Sequence, residues 1–213
     1  MATKFYLVRH GESQGNQKGL FLGHTDMELT EKGHEQAEKT ADYLADVPVD
    51  AIYSSDLLRA YQTAEHTANR KGLTITKSEQ LREIYAGEWE AQSFCGLEKR
   101  YPETYGLWLS NIGRARCDKG ESVAELQQRL LGEIARIASL HPDQTVFIFT
   151  HATPVRTLAC AAQNIDLDGI AGVPWPTNAS VTVLEYDTGR LTLLSYSEDS
   201  FMHELRTVLP DNV

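Results

Sequence analysis

The chain has 213 residues, 41% hydrophobic and 23% charged, with a formal net charge of −10. That length and composition suffice for one sizeable core without disulfides or metals, and the charge excludes a general attraction for nucleic acid or anionic membrane. The three cysteines, Cys95, Cys117 and Cys160, are odd in number and lack Cys-x-x-Cys spacing, which argues against a disulfide framework or a structural zinc site. Met1-Ala2-Thr3-Lys4 runs straight into the first apolar run, and no apolar run approaches membrane-spanning length, so a cytoplasmic location is expected.

In chain order, Phe5-Tyr6-Leu7-Val8 reads as a buried strand. Thr30 can cap a helix to about Leu44, with Ala37, Ala41 and Leu44 on one stripe. A second strand is expected over Asp50–Tyr53, then a helix from Leu57 to about Lys71 closed by Gly72. Leu73–Thr76 reads as a third strand. Residues 85–120 lack clean periodicity and are expected to be an insertion over the sheet edge, finishing a substrate pocket. Within them, Trp89, Phe94, Tyr101, Tyr105 and Trp108 could line that pocket, but at their spacing a core role is favoured. Val123, Leu126, Leu130, Ile134 and Ile137 step by three and four, which predicts a helix over 122–140 capped by Ser122. Val146-Phe147-Ile148-Phe149-Thr150 is the strongest strand signal and feeds a helix with Pro154 in its first turn. Val181–Leu184 and Leu191–Leu194, separated by Asp187-Thr188-Gly189-Arg190, read as a hairpin. Strands alternating with helices predict a single α/β domain over 1–213 with a mostly parallel central sheet, helices on both faces and the insertion over its carboxyl edge. The tail after Ser197 carries no signal.

The chemistry-bearing residues gather at strand ends. Arg9-His10-Gly11-Glu12 follows the first strand, Arg59 lies just after the second, and His151 follows the strand at 145–150. The carboxyl edge of an open α/β sheet is where ligands bind. Arginine offers a forked donor to phosphoryl oxygens, and imidazole can attack phosphorus. Singly, Arg59 could be an exposed helix cation, Glu83 a solvated loop acid and His151 a satisfied edge histidine. Together, two histidines, two arginines and one glutamate are the parts of metal-free phosphoryl transfer.

The chain resembles the histidine phosphatase superfamily, which includes the cofactor-dependent phosphoglycerate mutases. The resemblance rests on an ordered series of blocks over roughly residues 4–186: Arg9-His10-Gly11-Glu12-Ser13 with Asn16; Phe21-Leu22-Gly23-His24-Thr25-Asp26 with Leu29, Thr30 and Gly33; Ser55-Asp56-Leu57-Leu58-Arg59-Ala60 with Thr63 and Ala64; Leu81-Arg82-Glu83 with Gly87, Trp89 and Glu90; Gly120-Glu121-Ser122 with Arg129; and Thr150-His151. It implies that neutral His10 attacks phosphorus and forms a phosphohistidine. Arg9, Arg59 and His151 would hold the equatorial oxygens, helped by the Ala152 N–H and Asn16, with Gly11 and Gly23 also in the substrate-binding set. Glu83 would protonate the leaving oxygen and then deprotonate the attacking water, help typically worth about 100- to 10,000-fold. No cofactor and no metal are expected, and the expected partner is a small phosphorylated metabolite.

Two positions depart from the family pattern. Ala152 follows the second histidine, and Ala91 follows the Trp-Glu pair, where glycine is common. The segment from Glu83 to Gly120 is shorter than in the mutases, which favours a phosphomonoesterase. Mutase-type transfer, a non-catalytic module that binds phosphorylated ligands, and a metal site built from His10, His151 and Glu83 rank behind it.

Overall fold

Residues 2–207 are described by the computed structural model, and among them eight strands alternate with seven α-helices. In order these are β1 (Thr3–Arg9), α1 (Gln14–Gln17), β2 (Leu20–Phe21), α2 (Glu31–Tyr43), β3 (Ala51–Ser54), α3 (Leu58–Lys71), β4 (Ile75–Lys77), β5 (Gln92–Ser93), α4 (Phe94–Arg100), α5 (Pro102–Ser110), α6 (Val123–Leu140), β6 (Thr145–Thr150), α7 (Ala152–Ala162), β7 (Val181–Asp187) and β8 (Arg190–Glu198). The first and last residues of the expected 1–213 domain, Met1 and 208–213, lie outside the described residues.

Six strands form one sheet in the order β4-β3-β6-β1-β7-β8. The first four are mutually parallel; β7 and β8 run antiparallel. The continuous apolar runs of β1 and β6 follow from burial on both faces. Phe5, Leu7, Val146 and Ile148 pack with α6 and α7 residues such as Leu126, Leu130, Ile134, Val155 and Leu158. Val8, Phe147 and Phe149 point the other way, onto Ala64 and Ala68 of α3 and Leu44 after α2. The period-two alternation of a strand thus feeds two cores.

The helix ends have local causes. Thr30 accepts from the Gly33 N–H, and Ser122 forms a capping box with Glu125. The third strand is Ile75–Lys77 rather than Leu73–Thr76, because Gly72 in the left-handed region (φ 66°) first turns the chain and Leu73 packs sideways into the second core. The hairpin strands are longer than expected. Their turn is Thr188-Gly189, both at positive φ (48° and 86°), as a two-residue connection between twisted strands requires. The 85–120 segment contains α4 and α5, divided by Pro102, and helices of seven and nine residues are too short to display a period. β5 pairs antiparallel with β2, forming a small ribbon beside the sheet edge.

Candidate active site

Strand register places the two histidines together. Arg9 of β1 stands opposite Thr150 of β6, so His10 and His151, one residue further along, leave adjacent parallel strands side by side. Their rings meet edge-on with centroids 5.2 Å apart. β3 ends beside them, and the Ser55 N–H donates to the Phe149 carbonyl at 2.9 Å.

His10 is 4% exposed, and its Nδ1 lies 2.7 Å from the Gly11 carbonyl. A carbonyl can only accept, so the ring proton is on Nδ1 and the Nε2 lone pair is free. Burial, then the charges of Arg59 and Arg9, hold the imidazole well below its usual pKa. It is therefore neutral, as a nucleophile must be. Gly11 supplies that carbonyl at close quarters: a Cβ there would stand 2.4 Å from the Gly33 carbonyl oxygen.

Arg9 and Arg59 are buried and stiffly held. Arg9 donates to the Pro176 carbonyl at 2.5 Å; Arg59 donates to the carbonyls of Thr25 (2.9 Å) and Gly23 (2.8 Å). Burial brings both guanidinium pKa values down to about 10, against the opposing charge of Glu83. Both remain protonated at neutral pH. Each guanidinium has five N–H donors, so most stay available beyond these carbonyl contacts.

His151 is fully buried and precedes α7. Its Nε2 is 2.8 Å from the Ser55 hydroxyl, and its Nδ1 has no partner among the described residues. Burial, then Arg59, lowers its pKa well below the usual value, so it carries one ring proton. Ser55 is a contact that sequence reasoning missed; its only signal was its place in the Arg59 block.

Glu83 is a buried acid rather than a solvated one, 7% exposed. One carboxylate oxygen accepts from the Ile84 N–H at 2.8 Å, the other from the Thr153 N–H at 3.2 Å in the first turn of α7. Burial raises its pKa, and these N–H groups only partly pull it back. Its backbone is clamped from behind. Arg129 grips Glu121 with Nε and Nη2, both at 2.9 Å, and donates to the carbonyls of Gln80, Arg82 and Glu83. His24 Nε2 lies 3.0 Å from that Glu83 carbonyl.

Asn16 lines the cleft. Its Oδ1 accepts from the Ser13 N–H and hydroxyl and from Asn178 Nδ2, at 3.1, 3.0 and 3.3 Å, leaving its amide donors free. Ala152 lines it too, as the first helical residue of α7, so a side chain is accommodated there without left-handed backbone. Gly11, Gly23 and His151, expected to touch substrate, are not among its lining residues; His151 packs against His10, which is. The Gly11 N–H is taken by Thr63 Oγ1 and the Gly23 N–H by Glu90. Gly23 is instead a packing position: a Cβ would meet the Ile84 carbonyl oxygen at 2.5 Å. Glu90 also accepts from His24, Thr25 and Ala86 and so ties the loop carrying the Arg59 acceptors to the acid block.

The cleft encloses about 580 Å³, counting its open mouth, and is bounded by Arg9, His10, Arg59 and Glu83 at its floor. Of the aromatic residues read as insertion core, Trp89 is buried inside the core, whereas Phe94, Tyr105 and Trp108 reach the cleft. Trp175 joins them and was not anticipated; it lies far from the other blocks in sequence. Among the described residues no group of three His, Cys, Asp or Glu side chains is arranged to hold a metal ion, and no helix is long and apolar enough to cross a membrane.

Fold and site together define an α/β enzyme with two histidines, two arginines and a buried acid at one sheet edge. The profile of the histidine phosphatase superfamily (branch 1) matches residues 5–199, and the chain belongs to that superfamily. It is 33% identical over 195 residues to phosphoserine phosphatase 1 of Hydrogenobacter thermophilus, covering 90% of each chain. It is 31% identical over 148 residues to the adenosylcobalamin/alpha-ribazole phosphatase of Escherichia coli, covering 70% of this chain and 73% of that one. Bacillus stearothermophilus YhfR superposes with a TM-score of 0.90 at 32% identity, over 94% of this chain and 99% of that structure.

Proposed function

We propose that the chain hydrolyses small phosphate monoesters through a phosphohistidine on His10. The observation that carries this is the fixed tautomer: Nδ1 is bound to the Gly11 carbonyl, and Nε2 is free beside two buried guanidinium groups and a buried acid. Nε2 attacks phosphorus, and the bond to the ester oxygen breaks. Arg9, Arg59, the Ala152 N–H and the Asn16 amide stabilise the phosphoryl oxygens as charge spreads over them. With Ser55 donating to Nε2 of His151, the His151 proton sits on Nδ1 and joins that set.

Glu83, whose pKa burial raises towards the acid form, gives its proton to the departing alkoxide. The carboxylate left behind takes a proton from water, whose oxygen attacks phosphorus and releases phosphate, and His10 and Glu83 return to their starting states. Two arginines supply the positive charge that a metal supplies elsewhere, so no step calls for one.

Hydrolysis rather than mutase transfer is supported by the cleft's charge. Among the described residues Arg9 and Arg59 are the only cationic side chains lining it, enough for one phosphoryl group and not for the second of a bisphosphorylated intermediate. The named relatives differ in their esters, phosphoserine for one and alpha-ribazole for another; what they share is the phosphomonoester. His10→Ala should abolish phosphate release from any ester in the presence of EDTA while circular dichroism stays unchanged. Near-full turnover in that variant would refute covalent catalysis at His10.

A further inference from the structure

Away from the phosphoryl position the cleft changes character. Leu20, Phe21, Leu22, Phe94, Trp108 and Trp175 form its outer wall. Phe21 and Trp108 meet edge-on with centroids 5.0 Å apart, and Trp108 stacks on Trp175 at 6.3 Å with planes 28° apart. Trp175 is held in place. The buried guanidinium of Arg156 lies 4.2 Å from its ring centroid and is itself fixed by donation to the carbonyls of Val173 and Ile170. The next residue, Pro176, accepts from Arg9, so this wall is tied mechanically to the phosphoryl cradle.

Charge is distributed to match. The cations of the cleft, Arg9 and Arg59, are both committed to the phosphoryl group in the mechanism above, and among the described residues Glu83 is the only acid lining it. The basic residues of the insertion do not line the cleft: Arg114 pairs with Asp168, Arg116 with Glu125, Lys119 with Glu88, Arg100 donates to Gln92, and Lys99 is exposed. A leaving group that carries a carboxylate would lose its hydration against leucine and indole with no cation left to receive it. A flat uncharged group would instead exchange water for aromatic faces.

We infer that this site selects phosphate monoesters whose alcohol is uncharged and ring-bearing, and turns away the phosphate esters of hydroxy acids and amino acids. The inference rests on the phosphomonoesterase reading and adds the substrate class to it.

The test compares three esters that all leave as alkoxides and so demand similar help from Glu83: benzyl phosphate, phosphoserine and 3-phosphoglycerate, each with chelator present. Benzyl phosphate should have the higher kcat/KM by about tenfold or more over each of the others. Phe94→Arg places a cation on the wall and should shrink that advantage about fivefold or more, raising the phosphoserine value as the benzyl value falls. Leu20→Lys makes the same change from the neighbouring strand β2 if Phe94→Arg does not fold. Equal or greater activity on the carboxylate esters would overturn the inference and leave the phosphatase reading standing. An unmoved ratio in a folded, active wall variant would overturn the assignment of selectivity to this wall. Turnover of none of the three esters would overturn both readings.

Discussion

Glu83→Gln separates proton transfer from everything else that Glu83 does. The carboxylate now accepts two backbone N–H groups, from Ile84 and Thr153. Glutamine keeps the size and one acceptor oxygen but turns an amide NH₂ toward the other N–H. One backbone bond is lost, which costs about 1 kcal/mol, or roughly fivefold if all of it falls on the transition state. The lost proton is worth far more, about 3–5 kcal/mol for a leaving group that cannot depart as an anion, corresponding to a loss of about 100- to 10,000-fold. p-Nitrophenolate needs no proton, so p-nitrophenyl phosphate should lose only the smaller, structural part in phosphohistidine formation, whereas benzyl phosphate should lose both. Rapid-quench single turnovers measure that step alone. The water-attack step should slow for both esters, so phosphoenzyme should accumulate in the variant with p-nitrophenyl phosphate. Equal losses for the two esters in single turnover would show that Glu83 is not the proton donor.

Ser55→Ala removes the bond that orients His151 and should lower kcat/KM about tenfold for good and poor leaving groups alike; a selective loss for benzyl phosphate would instead link Ser55 to the acid. Ala91 sits at φ 56°, in a region that costs a side chain about 1–2 kcal/mol. Ala91→Gly relieves this against the greater freedom of glycine in the unfolded chain. A net gain of about 0.5–1 kcal/mol should raise Tm by about 1–4 °C in thermal denaturation, and a lowered Tm would refute the strain. The kcat/KM profile for benzyl phosphate, corrected for the ester's own ionisation, should have an acid limb below 6.5, because His10 stays neutral under its ordinary histidine pKa, and an alkaline limb above 4.5, because Glu83 stays protonated over its ordinary carboxylate pKa. An acid limb at or above 6.5 would contradict the placement of His10 between two cations.

Much of the scaffold was legible because it is built from local rules. Thr30, Ser122 and Gly72 mark helix ends by mechanisms that operate within four residues. β6 announces itself as an unbroken apolar run because helices cover both of its faces. What was misplaced depended on distant partners. β2 and β5 are two residues each and exist because they pair with one another. The extent of β4 depends on its register with β3, which carries on past Lys77 to the Ser78 N–H donating to the Ser54 carbonyl. Ala91 departs from the glycine common in the family, and its backbone shows why glycine suits the position: the chain turns left-handed there to hand β5 to β2.

The reacting groups were legible for a different reason than the cleft wall. His10, His151 and Arg59 each follow a parallel strand within a few residues, so the sheet's register assembles them, and a reader who finds the strands has found the floor of the site. The wall obeys no such register. Phe94 and Trp108 come from short helices whose periodicity is lost, Phe21 from a two-residue ribbon, and Trp175 from a loop held by stacking on Arg156 and Trp108 and by the Arg9–Pro176 bond. Chemistry that must be held rigid was placed on the sheet, while contacts with the rest of the substrate were placed on segments whose position comes from tertiary packing alone. Those segments can change without disturbing β1, β3 or β6, which is how one phosphoryl cradle can stand beneath relatives named for esters as different as phosphoserine and alpha-ribazole phosphate.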